Sequence, residues 1–315
     1  MASAGSGKWT FAQMPDLSGR KAIVTGANSG IGFYTAQALA RANADVTLAV
    51  RDLDKGEQAI EAMGPNVRRP RVRRLDLADL ASVRDFASAW TQDCGPSLDL
   101  LINNAGIMAI PRRLSRDGFE LQFATNHLGH FALTGLMLPA LVAVPNSRIV
   151  TVSSGAHRMV KGVDFDDLMG ERNYWSWRIY GQSKLANLLF SAELDRRLSR
   201  IDSSIVVAAA HPGYAATNLQ GVSSQMRGAR LENSVISLGN RILAQSAAMG
   251  ALPTLFAATS PAVKSGSYVG PDGFAEMRGY PTFVGRSAAA KDSTQAERLW
   301  TVSEELTGVR FPFDE

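Results

Sequence analysis

Short runs rich in β-branched residues alternate with helix-period segments from Lys21 onward, and no other feature of the sequence restricts the fold as strongly. The runs are Ala22–Thr25, Val46–Val50, Val72–Leu75, Leu98–Ile102, Arg148–Val152, Ile205–Ala210 and Ser267–Val269. Seven strands separated by helices predict a single doubly wound α/β domain: a seven-stranded parallel sheet with helices on both faces. No linker, repeat or low-complexity block interrupts the series. Residues 17–315 therefore read as that domain and residues 1–16 as an N-terminal extension.

The first strand leads into Thr25-Gly-Ala-Asn-Ser-Gly-Ile-Gly32, which opens a helix whose Ile31, Thr35, Ala38 and Leu39 keep one side apolar. A second strand arrives by Val46, closing a βαβ unit of about 30 residues. Gly26, Gly30 and Gly32 let the backbone turn sharply and approach a pyrophosphate, which would rest on unpaired N–H groups at the helix N-terminus. This order predicts a Rossmann-type dinucleotide site whose phosphate loop holds Gly26, Asn28, Ser29, Gly30, Ile31 and Gly32. An acid closing the second strand would favour NAD by binding the adenine ribose 2′-OH. Here Val50 is followed by Arg51, whose guanidinium suits a 2′-phosphate, so the expected cofactor is NADP(H). The alternative is a surface Arg51 with Asp52 reading the ribose. Asp76 and Leu77, after the third strand, are placed at the adenine, although acids there also serve as helix caps, as expected of Asp79.

Lys and Arg number 33 against 29 Asp and Glu, a formal +4, but Arg68, Arg69, Arg71, Arg73 and Arg74 crowd into one stretch. The basic excess is local, whereas tracking nucleic-acid phosphates needs it spread along a groove or helix, so no nucleic-acid partner is expected. Cys94 is the one cysteine, which excludes an intramolecular disulfide and a thiolate-rich metal site. Residues 1–20 lack the pattern of a signal peptide, and the most apolar helix-length stretch, Phe131–Val144, is too short to span a bilayer. A cytoplasmic protein without an integral membrane segment is expected.

Tyr180 and Lys184 lie four residues apart in a helical pattern continued by Leu185, Leu188 and Leu189, so their side chains share a face. An ammonium beside a phenol favours the phenolate; bringing a phenol from about 10 toward 7 takes about 4 kcal/mol, which a nearby cation and a cofactor positive charge together can supply. Ser153 and Ser154 end the fifth strand, where open parallel sheets place reactive groups, though a serine there also caps turns. Asn103, Asn104, Ala105 and Gly106 end the fourth strand in the same crevice, Asn126 follows in the next helix, and His211-Pro-Gly-Tyr-Ala-Ala-Thr217 ends the sixth.

Together, Thr25-Gly-x3-Gly-x-Gly32, Asn103-Asn-Ala-Gly106, Asn126, Ser154, Tyr180-x3-Lys184 and Pro212-Gly213 resemble the short-chain dehydrogenase/reductase family over nearly the whole chain. Finer features resemble its retinol-dehydrogenase-like branch: Phe123-Ala-Thr-Asn-His-Leu-Gly-His-Phe131, Ser153-Ser-Gly-Ala-His157, Tyr180-Gly-Gln-Ser-Lys-Leu-Ala-Asn187 and Arg298-Leu-Trp-x2-Ser303. The chain is similar also to protochlorophyllide reductases, but Ala186 stands where those carry a Cys. The resemblance implies an oxidoreductase interconverting an alcohol and a ketone or aldehyde. In it Tyr180 passes the proton, Ser154 steadies the substrate oxygen, and Lys184 lowers the Tyr pKa and holds the nicotinamide ribose. Asn126 would anchor a water leading to Lys184. Asn104, Ala105, Gly106, Pro212, Gly213 and Thr217 would line the cofactor. A homo-oligomer is also implied, a two-fold dimer through the helices carrying Asn126 and Tyr180; Leu133, Leu136, Met137 and Leu141 supply apolar residues there that could equally be core.

A long connection at about 218–250, with Val222, Met226, Leu231, Val235 and Ile236 among its apolar residues, suggests a substrate lid and hence an apolar small-molecule carbonyl or alcohol; one amphipathic core helix explains the same pattern. Tyr174, Trp175 and Trp177 line the pocket, meet a partner subunit or simply pack. His127 and His130 share a helix face, but no nearby acid completes a metal site. A non-catalytic NADP(H)-binding regulatory protein on the same fold is the alternative reading.

Overall fold

The computed structural model describes residues 8–214 and 245–313. Its sheet is built from β1 (Lys21–Thr25), β2 (Asp45–Val50), β3 (Arg71–Arg74), β4 (Leu100–Asn103), β5 (Arg148–Val152), β6 (Val206–Ala210), β7 (Tyr268–Pro271) and β8 (Pro281–Phe283). The spatial order is β3-β2-β1-β4-β5-β6-β7-β8. The first seven are parallel, as expected; the eighth is an addition, pairing antiparallel with β7 in the register Val269↔Phe283. A short hairpin needs no crossover helix, which is how an antiparallel strand reaches the edge of a parallel sheet.

Side chains alternate between the two faces. Ala22, Val24, Leu48, Val50 and Ile102 point to one core with α1 (Gly30–Arg41), α2 (Leu53–Ala62) and α6 (Ala247–Thr259). Ile23, Ala49, Leu101, Ile149 and Val207 point to the other, against α3 (Leu80–Cys94), α4 (Gly129–Val142) and α5 (Ser176–Arg200). The order reverses beside β1, so the loops after β1 and β4 diverge and open a crevice at the carboxyl ends of the strands.

The terminal helix α7 (Ser293–Thr307) lies across α4 and α5. Trp300 meets Phe131 at 5.1 Å and Phe190 at 5.9 Å between ring centroids, and Phe311 closes on Trp300 at 4.5 Å. Leu133, Met137 and Leu141, considered above for a dimer contact, are buried by the chain itself. The arginine-rich stretch is largely neutralised locally: Arg68 and Arg71 pair with Asp45, Arg69 with Glu57 and Glu61, and Arg73 with Asp93. Among the described residues no helix is long and apolar enough to cross a membrane. The suggested lid lies outside the described residues up to position 244; from Gln245 the chain runs into α6.

Candidate active site

Gly26 and Gly30 sit at φ +65° and +57°, the left-handed region that residues with a Cβ resist. Gly32 has ordinary helical geometry, but a Cβ there would fall 2.4 Å from Gly26 O and 2.5 Å from Asn104 Nδ2. The starts of the β1 and β4 loops are thus packed closely and tied side chain to backbone. Thr25 Oγ1 accepts from the N–H groups of Asn104 and Ala105, both at 2.9 Å, and Asn104 Nδ2 donates to Thr25 O at 2.8 Å. Asn104 therefore spends its side chain on the scaffold. Gly32→Ala is expected to lower the melting temperature by a few degrees, since overpacking costs about 1–3 kcal/mol; thermal unfolding checks it.

Ser29 begins α1 in an extended conformation and makes no side-chain cap bond, so the first amides of the helix face the crevice uncapped by it, with Asn28 and Ile31 on either side. Arg51 is exposed just past β2. Asp52 is engaged elsewhere: it caps α2, accepting from Lys55 N at 3.1 Å and pairing with Lys55 Nζ at 3.3 Å. Past β3, Asp76 accepts from Ala78 N at 3.0 Å and Leu77 is buried; a Cβ on Gly129 would meet Leu77 O at 2.3 Å, so the first turn of α4 presses directly on this loop. Asp79 caps α3, as expected.

Asn126 lies in a π-helical segment, Ala124–Leu128, that runs straight into α4; such widened turns recur at functional sites. Its side chain brackets Ile107, accepting from the N–H at 2.8 Å and donating to the carbonyl at 2.9 Å, and also donates to Ser183 Oγ at 2.9 Å. Its backbone carbonyl accepts from His130 Nδ1 at 3.0 Å, which leaves His130 Nε2 to accept from Thr25 Oγ1 at 2.9 Å. Burial drives His130 down to about 4, so the ring is neutral in this chain of bonds. His127 packs among Phe123, Phe131 and Phe190 and bonds Ser303 Oγ at 2.8 Å. Both histidines are thus taken up by packing and hydrogen bonding; the four-residue step from Asn126 to His130 is the sequence signal that places the second ring against the Asn126 backbone.

Tyr180, Ser183, Lys184 and Asn187 form a buried polar stripe along α5. Lys184 Nζ donates to Val152 O at 3.0 Å and lies 5.9 Å from the centre of the Tyr180 ring; Asn187 Nδ2 donates to the same carbonyl at 3.1 Å, and Ser153 Oγ donates to Lys184 O at 2.8 Å. Ser154 does both things considered for it. Its Oγ accepts from Ala156 N at 3.2 Å, capping the 3-10 turn Gly155–Met159, and the hydroxyl is also hydrogen-bonded to Tyr180. That bond lowers the Tyr180 pKa, as donation from the Ser154 hydroxyl to the phenol oxygen does.

In the chain alone, without the cofactor charge on which the expected lowering also draws, the Tyr180 phenol is not brought down. Burial raises Tyr180 above the usual phenol, with the Ser154 hydrogen bond opposing it. The ammonium is turned to Val152 O, and burial in turn brings Lys184 down to about 8. A Cβ on Gly106 would lie 3.1 Å from Asn126 Oδ1 and 3.3 Å from Lys184 Nζ, so the β4 loop closes over both. Trp177 stands edge-on to Tyr180 at 6.1 Å, whereas the Tyr174 hydroxyl is fastened to Ile110 O at 2.8 Å and Trp175 is exposed.

Past β6, Gly213 has φ +66° and a Cβ there would strike Met277 O at 2.4 Å, while Pro212 O accepts from Gln245 Nε2 at 2.5 Å. Thr217 lies outside the described residues.

The family model for short chain dehydrogenase matches residues 20–228. The chain is 40% identical over 301 residues to retinol dehydrogenase 13 of Homo sapiens, covering 94% of this chain and 87% of that protein. It is 36% identical over 310 residues to retinol dehydrogenase 14 of Homo sapiens, covering 93% and 88%. A crystal structure of an uncharacterized protein from Mycobacterium Paratuberculosis superposes with a TM-score of 0.79 at 45% identity, covering 97% of this chain and all of that one. The chain thus belongs to the short-chain dehydrogenase/reductase family, in its retinol-dehydrogenase-like branch, and is an oxidoreductase acting at the alcohol and carbonyl level.

Proposed function

We propose that this oxidoreductase uses NADP(H) to interconvert an alcohol and a ketone or aldehyde on an apolar small molecule. The observation that carries this reading is the buried Tyr180 hydroxyl, hydrogen-bonded to Ser154 and one helical turn from Lys184, at the carboxyl end of β5. Tyr180 gives its proton to the carbonyl oxygen in reduction and takes it back in oxidation. Ser154 turns its hydrogen from the phenol to the same oxygen. Lys184 presents an ammonium between the β4 loop and Val152, positioned to bind a ribose hydroxyl and to favour charge on Tyr180. Asn126 fixes Ile107 against α5 and so sets the depth of the crevice.

The residues fit a dinucleotide: uncapped amides at α1 for the pyrophosphate, a β4 loop drawn close over Asn126 and Lys184 at Gly106, and the turn at Pro212 and Gly213. When bound, that cofactor supplies or accepts the hydride. Support for NADP(H) comes from Arg51, exposed beside the crevice while Asp52 is tied to Lys55. A hydrogen bond to a charged group is worth about 1.5–3 kcal/mol, so Arg51→Ala is expected to weaken NADPH roughly ten- to a hundredfold and leave NADH nearly unchanged. Fluorescence titration checks it; equal affinity of the wild-type chain for both cofactors would overturn the preference.

Support for an apolar substrate comes from the segments that follow the carboxyl ends of β5 and β7, where Met159 and Trp175, and Phe274, stand exposed. Retinol in the relatives' names is likewise an apolar alcohol. Apolar contact is worth about 25 cal/mol per Å² and offers little to a polyol, so the best kcat/KM should belong to an apolar aldehyde, ketone or alcohol. A screen headed by a sugar or a phosphorylated metabolite would contradict this. A cytoplasmic homo-oligomer, a two-fold dimer through α4 and α5, is part of the same proposal; Leu133, Met137 and Leu141 are core, so the contact would use the outer residues of these helices.

A further inference from the structure

Ala275 and Glu276 are consecutive non-glycine residues in the left-handed region, at φ +51° and +55°. Such conformations cost energy and persist only where the surroundings over-determine them. Here the surroundings converge on one carboxylate. Arg158 grips Glu276 with both guanidinium nitrogens, at 3.1 and 3.0 Å, and also donates to Gly285 O at 2.7 Å. His211 Nε2 bonds Glu276 Oε2 at 2.9 Å.

Each partner leads to one side of the crevice. Arg158 follows His157, whose Nδ1 donates to Ser154 O at 2.7 Å and whose N–H donates to the same carbonyl at 3.1 Å, so the guanidinium is carried on the turn that holds Ser154. His211 accepts at Nδ1 from Gly213 N at 3.3 Å, which makes Nε2 the donor to Glu276 and keeps the ring neutral. That ring cannot slide, because it lies against the β7 backbone: a Cβ on Gly270 would fall 2.1 Å from Nε2. Next along the hairpin, Met277 O accepts from Tyr214 N at 2.7 Å.

We infer that Glu276 is a positioning residue that ties the Ser154 turn to the Pro212-Gly213 loop, holding the substrate-oxygen side and the cofactor side of the crevice at a fixed separation. The inference rests on the reading under Proposed function, in which Ser154 contacts the substrate oxygen and Pro212 and Gly213 line the cofactor. A one-point tie of this kind lets a single carboxylate, outside contact with either ligand, set the distance between them. Surface ion pairs taken singly contribute little, but a bidentate arginine sharing its carboxylate with a buried ring is a fixed geometry.

The full-length chain with Glu276 changed to Ala, Gln or Gly, together with Arg158→Met, tests this by NADPH titration and by kcat on an apolar aldehyde that the wild-type enzyme turns over. Glu276→Ala is expected to weaken NADPH and to lower kcat by about tenfold each, given how steeply rates depend on placement. Glu276→Gln should recover most of both, because the amide still accepts from Arg158. Glu276→Gly relieves the backbone strain without restoring the tie, so it should fold well and still behave like the alanine variant. Arg158→Met cuts only the Ser154 side and should lower kcat with NADPH affinity within about twofold. Rescue by glycine rather than glutamine would reduce Glu276 to a conformational role and overturn the inference, as would wild-type affinity and kcat in Glu276→Ala. A wild-type chain that binds neither NADPH nor NADH would instead sink the functional reading itself.

Discussion

Tyr180→Phe is expected to lower kcat by at least about 10²-fold, the usual scale of general acid–base catalysis, while NADPH affinity stays within about twofold. The substitution keeps the ring packed beside Trp177 and removes only the hydroxyl bonded to Ser154. The rest of the stripe is committed elsewhere: Ser183 donates to Tyr180 O, Asn187 is an amide, and the Lys184 ammonium is turned to Val152 O. Ser154 carries a hydroxyl but no base to relay its hydrogen other than the phenol. Steady-state kinetics with cofactor titration checks the prediction, and near-wild-type kcat on an authenticated substrate would refute the assignment.

Lys184→Ala should do greater damage than Tyr180→Phe and, unlike it, weaken cofactor binding, roughly ten- to a hundredfold for a lost charged hydrogen bond. The fold should tolerate the change, because Asn187 still donates to Val152 O. The double variant should cost much less than the sum, since the two residues act together. Lys184 also gives the reaction a pH signature. Burial has brought it down to about 8, so the ammonium is present below that pH and lost above it. Burial has moved Tyr180 the other way, so the phenol remains a proton donor through the same range. For carbonyl reduction, kcat/KM should therefore fall as pH rises through about 8; a profile flat to pH 10 would show that the Lys184 charge is not used.

Much of this site is legible in the sequence because phosphate and hydride chemistry fix spacings along the chain. Gly26, Gly30 and Gly32 are demanded by backbone geometry within one βαβ unit, and Tyr180 and Lys184 by one helical turn. The strands were readable for the same local reason. What depends on distant partners was not. The acids that neutralise the arginine stretch, Asp45, Glu57, Glu61 and Asp93, come from β2, α2 and α3. The closure of α4 and α5 by Trp300 and Phe311 joins residues more than a hundred positions apart. Strand β8 is three residues bounded by turns, too short for an alternating pattern to register. The burial of Tyr180 in the chain alone is not legible, because helical spacing shows that Lys184 is near but not that its Nζ is turned to Val152 O, nor how dry the phenol is.

The most direct test of the central claim is NADPH consumption, followed by absorbance, by the purified full-length chain over a panel of apolar aldehydes, ketones and quinones, with Tyr180→Phe alongside. The wild-type chain is expected to turn over at least one apolar carbonyl, and Tyr180→Phe to lose that turnover. Tight NADPH binding with no turnover of any carbonyl, or of the matching alcohols with NADP, would contradict it and leave a cofactor-binding regulator in its place.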